Sequence, residues 1–208
     1  MKIDHQPFLI IISSPSGAGK TTLCKKVIEN DKSIVMSIST TTRSKRVNEV
    51  DGVDYKFVSS AEFAKLKNNN SFLESAVVFG NNYGTLKESV EKILQNNKSV
   101  LFDIDWQGAR QIRKNFNQDQ VISIFILPPS IAELEKRLNN RAQDSNEVVK
   151  SRMQKALDEI DHFNEYNYVL INDNLDNTFK EVISIIEAKK ISLRNHSIIE
   201  ALIKKSFK

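Results

Sequence analysis

The sequence predicts an α/β protein: a mainly parallel sheet flanked by helices, carrying an inserted, smaller β-rich lobe and an arginine-bearing lid. Three observations predict it. Short runs that are apolar on both faces alternate with longer amphipathic stretches along the 208 residues, as in a parallel sheet covered by helices on both sides. One long stretch breaks that alternation with short β-rich pieces and many hydroxyl side chains. A polar segment from Arg137 to Arg152, holding three arginines, lies between apolar helical patterns.

The first strand is Phe8-Leu9-Ile10-Ile11-Ile12, apolar at every position and therefore expected at the centre of the sheet. Further strands are expected at Ser99 to Phe102, Val121 to Leu127 and Tyr168 to Ile171. Helical spacing predicts helices over about Lys20 to Glu29, Leu86 to Gln95, Ile131 to Leu138, Ser145 to Phe163 and Asn177 to Leu193. The inserted lobe spans about residues 34–86, with a turn at Asp51-Gly52, and the lid about residues 137–152. The core then comprises about residues 1–33, 87–136 and 153–208, all within one domain.

Composition bounds the partners. Hydrophobic residues make up 40% and charged residues 27%, ordinary for a globular domain and unlike low-complexity chains. The net charge of +4 fits a polyanion, which a nucleotide and a nucleic acid satisfy equally well. Cys24 is the single cysteine, which excludes an internal disulfide and reads as a small buried thiol on a helix. The apolar run at Phe8 to Ile12 is too short for a signal peptide core, and no run reaches the ~20 apolar residues of a membrane span, so a cytoplasmic location is expected. The basic end with Lys204, Lys205 and Lys208 reads as a solvated helix terminus.

The first strand leads into Ser13-Ser14-Pro15-Ser16-Gly17-Ala18-Gly19-Lys20-Thr21-Thr22 and then into a helical pattern. Strand, tight loop and helix in that order make a phosphate loop of the NTPase type. Small residues let successive backbone N–H groups curl around phosphate oxygens, and the helix N-terminus adds its positive end. Lys20 would reach the outer phosphates of a nucleoside triphosphate, and the Thr21 hydroxyl would ligate Mg²⁺. The first glycine of the strict pattern is Ser14 here. The strand Ser99 to Phe102 runs into Asp103-Ile104-Asp105, two carboxylates on the same side of a strand. At the carboxyl edge of a parallel sheet both face the ligand crevice, and Asp103 is the candidate for holding Mg²⁺.

Downstream, Ser37-Ile38-Ser39-Thr40-Thr41-Thr42-Arg43-Ser44-Lys45-Arg46 gathers hydroxyls and guanidinium forks, which a phosphomonoester dianion requires. By itself the segment fits a polar surface hairpin equally well. The order of motifs decides. The phosphate loop, S-I-S-T-T-T-R, G-V-D-Y, F-L-E, N-Y-G-T, D-I-D-W-Q-G and the late Arg/Asp-Ser segment resemble the guanylate kinases from about Phe8 to Ala188.

That resemblance implies transfer of the ATP γ-phosphoryl group to GMP or dGMP with Mg²⁺. It implies that Ser39, Arg43, Arg46, Tyr55 and Tyr83 hold the GMP phosphate and that Glu74, Thr85 and Asp105 read guanine. Chemistry agrees, because guanine offers N1–H and N2–H₂ donors that carboxylates accept and adenine does not. Arg137, Arg141 and Arg152 match the lid arginines, and Asn172 and Asp173 align beside the ATP adenine. The sequence departs from the family at Lys45 and Asn48, where proline and glycine are usual, at Asn82 in place of a tyrosine, and at Ala142 in place of a glycine.

No general base is expected, since the acceptor phosphate is already largely a dianion. His5, His162 and His196 show no ligand spacing and receive no role. Catalysis then rests on alignment and on charge stabilisation by Lys20, Mg²⁺, Arg43 and the lid arginines. The resemblance implies small-molecule partners, with neither nucleic acid nor membrane, and leaves association of identical chains open. The rivals are a kinase of ribose phosphates, a peptide-binding module of the same fold, and a nucleic-acid binder. The base-reading set Glu74, Thr85 and Asp105 speaks against the first, and the intact Gly17, Gly19, Lys20 and Thr21 against the second. Only the net charge supports the third.

Overall fold

The computed structural model describes residues 6–140 and 146–206. His5, Arg141, Ala142, Ser145 and Lys208 lie outside the described residues, as do the side chains of Lys204 and Lys205.

Five parallel strands form the main sheet in the order β2 (Ile34–Met36), β7 (Ser99–Asp103), β1 (Leu9–Ser13), β8 (Val121–Leu127) and β9 (Tyr168–Ile171). The central strands are apolar on both faces because both faces are covered. Ile10, Ile12, Leu101, Ile122, Ile124 and Ile126 pack toward α1 (Lys20–Asn30) and α7 (Leu175–Ser206), where they meet Leu23, Val27, Val182 and Ile186. The alternate residues Leu9, Ile11, Val100, Phe102 and Phe125 pack toward α3 (Lys87–Gln95) and α4 (Trp106–Asn115), against Val90, Ala109 and Ile112. Cys24 is a buried free thiol on α1, in its expected place.

A second, four-stranded sheet carries the order β4 (Lys56–Phe57), β3 (Thr40–Thr41), β6 (Asn81–Leu86) and β5 (Phe72–Val78), antiparallel except for β3 with β4. The helix α2 (Ser60–Asn68) covers it, with Phe63 stacked on Phe72 at 4.5 Å between ring centroids. The expected turn is present, with Gly52 at φ 75° donating its N–H to the Tyr55 carbonyl. Gln111 of α4 fastens this sheet to the core by pairing with both the N–H and the carbonyl of Ser75. Helices α5 (Ile131–Asn140) and α6 (Asn146–Ile160) pack through Leu134, Leu138 and Ala156.

Three sequence expectations change. Ile34, taken as the start of the lobe, belongs to the main sheet: β2 pairs in parallel with β7, and Ile34 is buried against the α1 side of the core. Helices α2 and α4 were not expected. The first carries a capping box in which Ser59 and Glu62 satisfy each other's backbone N–H. The second starts at Asp105, whose side chain accepts from the Gly108 N–H. The final helix runs on to Ser206, beyond the expected end at Leu193.

Candidate active site

The carboxyl edge of the main sheet opens onto a cleft whose opposite wall is the small sheet. The phosphate loop forms its floor, where β1 ends at Ser13 and α1 begins at Lys20. Gly17 and Gly19 hold φ near +95° and +94°, which a Cβ would strain. A side chain at Gly19 would also meet the Asn172 amide nitrogen at 2.6 Å. That amide explains the loop's fixed shape from behind, since Asn172 Nδ2 donates to the Ala18 carbonyl at 2.7 Å and is itself buried. Ser14, Pro15, Ser16, Gly17, Gly19, Lys20 and Thr21 line the cleft. Ser13 and Ala18 are buried beneath it. Thr22 is exposed on α1.

Lys20 reaches across to the end of β7. Its Nζ sits 2.6 Å from Asp103 Oδ1 and donates to the Ile104 carbonyl. Burial alone would pull the ammonium pKa down, but the adjacent Asp103 carboxylate outweighs it and raises the value, so Lys20 stays charged. Thr21 Oγ1 donates to the other oxygen of the same carboxylate, Asp103 Oδ2, at 3.0 Å. Loop, lysine and strand-end acid are therefore one constellation.

The opposite wall carries Ser39, Arg46, Tyr55, Glu74 and Tyr83, with Asp105 at the rim of the core. Glu74 is buried with one carboxylate oxygen accepting from Thr85 Oγ1 at 2.7 Å. Burial pushes its pKa up to about 7, the Thr85 bond opposes the rise, and the nearby Asp105 charge adds to it. The other oxygen faces Gly108 so closely that a Cβ there would stand 2.5 Å away, which explains a glycine in the first turn of α4. Thr85 is fully buried and donates its proton to Glu74, so it positions that carboxylate and does not line the cleft. Asp105 accepts from the Gly108 N–H and from the Gln107 side chain while facing the cleft.

Residues 6–189 match the guanylate kinase family. The chain is 51% identical over 190 residues to the guanylate kinase of Rickettsia prowazekii (strain Madrid E), covering 91% of this chain and 95% of that relative. The chain belongs to the guanylate kinase family. It is also 47% identical over 191 residues to the guanylate kinase of Rhizobium meliloti (strain 1021), covering 92% of this chain and 87% of the relative. The crystal structure of guanylate kinase from Anaplasma phagocytophilum superposes with a TM-score of 0.74 at 34% identity, over 90% of this chain and 87% of that one.

Several residues carried over from the family sit elsewhere than expected. Arg43 does not line the cleft: its guanidinium is held in a two-point pair by Glu49, at 2.7 and 3.0 Å, and lies over the Tyr55 and Phe57 rings. Glu49, foremost among its causes, raises the Arg43 pKa, and Arg43 lowers that of Glu49. Glu49 also accepts the Arg46 N–H and gives its own N–H to the Arg46 carbonyl, which closes a turn over Val47 and Asn48 without the usual glycine, while its pair with Arg43 spans Lys45. At Asn82 the main chain does the work, through its N–H to Thr42 Oγ1 and its carbonyl to the Thr42 N–H.

Arg137 lies on α5, with its Nε donating to Glu133 and a terminal nitrogen to the Asn172 carbonyl at 3.3 Å. Arg152 lies on α6. Asn172 is spent on supporting the loop, and Asp173 is exposed beside it. Sequence reasoning missed Glu49, Gln111 and Glu159. The last donates nothing and accepts the Ser16 N–H at 3.1 Å inside the cleft.

Proposed function

We propose that this chain transfers the γ-phosphoryl group of ATP to GMP, and to dGMP, in the cleft between phosphate loop and small sheet. The observation that carries the reading is a single cleft lined at one end by the phosphate loop and at the other by the buried carboxylate of Glu74. Backbone amides and Lys20 receive the donor phosphates. Glu74 and Asp105 accept from the guanine N1–H and N2–H₂, with Thr85 fixing the Glu74 rotamer. Ser39, Arg46, Tyr55 and Tyr83 receive the GMP phosphate, and Arg43 joins them once its pair with Glu49 opens or shares.

The chemistry then needs no proton acceptor. The GMP phosphate is brought in line with the γ-phosphorus, and Lys20, Arg43, Arg137, Arg141 and Arg152 stabilise the charge that spreads over the transferring group. Closure of the small sheet and of the segment 137–152 excludes water that would hydrolyse ATP.

The residues fit Mg²⁺. Among the described residues no cluster of three acidic, histidine or cysteine side chains forms a protein cage, whereas one hydroxyl and one carboxylate beside a polyphosphate suit a cation that keeps most of its water. Thr21 and Asp103 would hold it. When bound it neutralises charge on the donor phosphates.

Among the described residues no helix is long and apolar enough to cross a membrane, and a cytoplasmic role in supplying guanine nucleotides, without nucleic-acid or membrane partners, accords with this reading. ADP release from MgATP, followed with GMP, dGMP, AMP, CMP, UMP and ribose phosphates offered singly, tests it. GMP and dGMP should be turned over. Equal turnover of AMP or of a ribose phosphate would overturn the base-reading assignment.

A further inference from the structure

Helix α6 carries Arg152, Lys155 and Glu159 at a spacing of three and four residues, which puts them on one helical face; of these, Glu159 lines the cleft. Lys155 and Glu159 are engaged on opposite walls. Lys155 Nζ lies 4.1 Å above the ring of Phe79, a residue at φ 50° in the tip between β5 and β6. One turn on, Glu159 Oε2 accepts the Ser16 N–H of the phosphate loop, across 143 positions of sequence. Glu159 shares the cleft lining with Ser16, Lys20 and Asp105. Burial raises its pKa, while the Lys20 charge and the Ser16 N–H hold it down.

We infer that Glu159 is an internal competitor of the donor polyphosphate: its carboxylate holds a phosphate-loop amide that a phosphate oxygen must take, so donor binding expels it and releases α6. The inference rests on the reading that this loop receives the donor. An amide proton directed at one anion cannot serve a second, and two anions at hydrogen-bond distance from one N–H repel strongly where water is scarce. The carboxylate therefore leaves when the polyphosphate arrives. Because Glu159 and Arg152 ride on the same helix, its departure frees the arginine-bearing face to reposition. The coupling is reciprocal, so whatever holds α6 in place weakens donor binding by the same factor.

The test uses the whole chain. MgATP and inorganic tripolyphosphate are titrated calorimetrically into wild type, Glu159→Gln, Glu159→Ala and Glu159→Asp, with the melting temperature of each recorded. Loss of the carboxylate should lower Kd for both ligands by about fivefold in the Ala variant and by less in Gln, whose amide oxygen still accepts the Ser16 N–H without the charge. Asp keeps the charge but withdraws it by one methylene, and should fall between Ala and wild type. Amide exchange over residues 152–160 should rise in wild type when MgATP binds and already stand at that level in ligand-free Glu159→Ala. A group that merely braces the loop would give weaker binding. Unchanged or weaker binding in the variants that keep the wild-type melting temperature, with Asp alone sufficing if the others unfold, overturns the competitor. A wild-type chain that takes up neither ligand overturns the phosphate-loop reading itself.

Discussion

At the phosphate loop, the groups offered to a ligand are main-chain amides held in shape from behind, by Asn172 on the Ala18 carbonyl and by glycines at positive φ. Across the cleft, the groups are side chains held by other side chains: Glu74 by Thr85, Arg43 by Glu49, and Tyr83 edge-on to Tyr55 at 6.1 Å. The first wall grows from five-residue strands of the buried sheet, and the second partly from the two-residue strands β3 and β4. A backbone site carries charge recognition without side-chain choice, which suits a polyphosphate tail. Reading a base requires particular donors and acceptors, and these must come from side chains.

The largest effect should come from removing the charged side chain that the first wall itself presents to the donor. Lys20→Met should lower kcat by roughly 10²–10³-fold, with the Kd for GMP changing far less, as steady-state rates and calorimetry would show. Wild-type-like turnover would remove the loop from the mechanism.

Glu74→Gln attacks the other wall. Preference for GMP over AMP should fall by roughly 10²-fold, read as the ratio of kcat/KM values. The same variant carries a pH signature. The Glu74 pKa is about 7 in the folded chain against an ordinary 4.5. Below 4.5 the group is protonated whether the chain is folded or not. Between 4.5 and 7 the unfolded chain ionises first, so stability is lost as pH rises through that window and levels above it. The loss is on the order of 3 kcal/mol, and denaturant midpoints of wild type and Glu74→Gln should diverge accordingly. Guanosine affinity, free of phosphate titration, should rise from pH 6 to pH 8, as the carboxylate becomes acceptor-only.

Glu49→Gln should act on the side-chain wall alone, with a smaller effect. Although Arg43 is then released, the loosened turn that Glu49 closes around Arg46 should raise KM for GMP by roughly tenfold and leave KM for ATP in place. Asn172→Ala should do the reverse: ATP binding weakens, GMP binding does not, and stability falls by about 1–2 kcal/mol for the buried Ala18 carbonyl left without its donor. Equal effects of either variant on both nucleotides would show that the two walls are not separable.

This division also explains what could be read in the sequence. Strands such as Val121–Leu127 were legible to the residue because burial on both faces leaves a run that is apolar at every position but Ser123. The loop was legible because backbone recognition demands glycine at Gly17 and Gly19. Ile34–Met36 was not, since three residues carry no period and its pairing with β7 spans the whole lobe. Helix α2 left a local signal, Ser59 with Glu62, that could have found it. Helix α4 was masked by Gly108, a poor helix former kept because Glu74 stands against it. Glu49 and Glu159 belong to no motif, and their meaning comes from partners brought near only by folding. Likewise Thr85 and Asn172 were read as ligand contacts, and the structure turns both toward protein partners.

One titration tests the account most directly: calorimetry of a bisubstrate analogue, adenosine joined to guanosine through a polyphosphate, against wild type, Lys20→Met and Glu74→Gln. One site per chain, tighter than either nucleotide alone and weakened by each substitution, is the predicted result. Heat that is absent, or binding that ignores Glu74→Gln in a folded chain, would contradict a cleft with a backbone wall for the donor and a side-chain wall for the base.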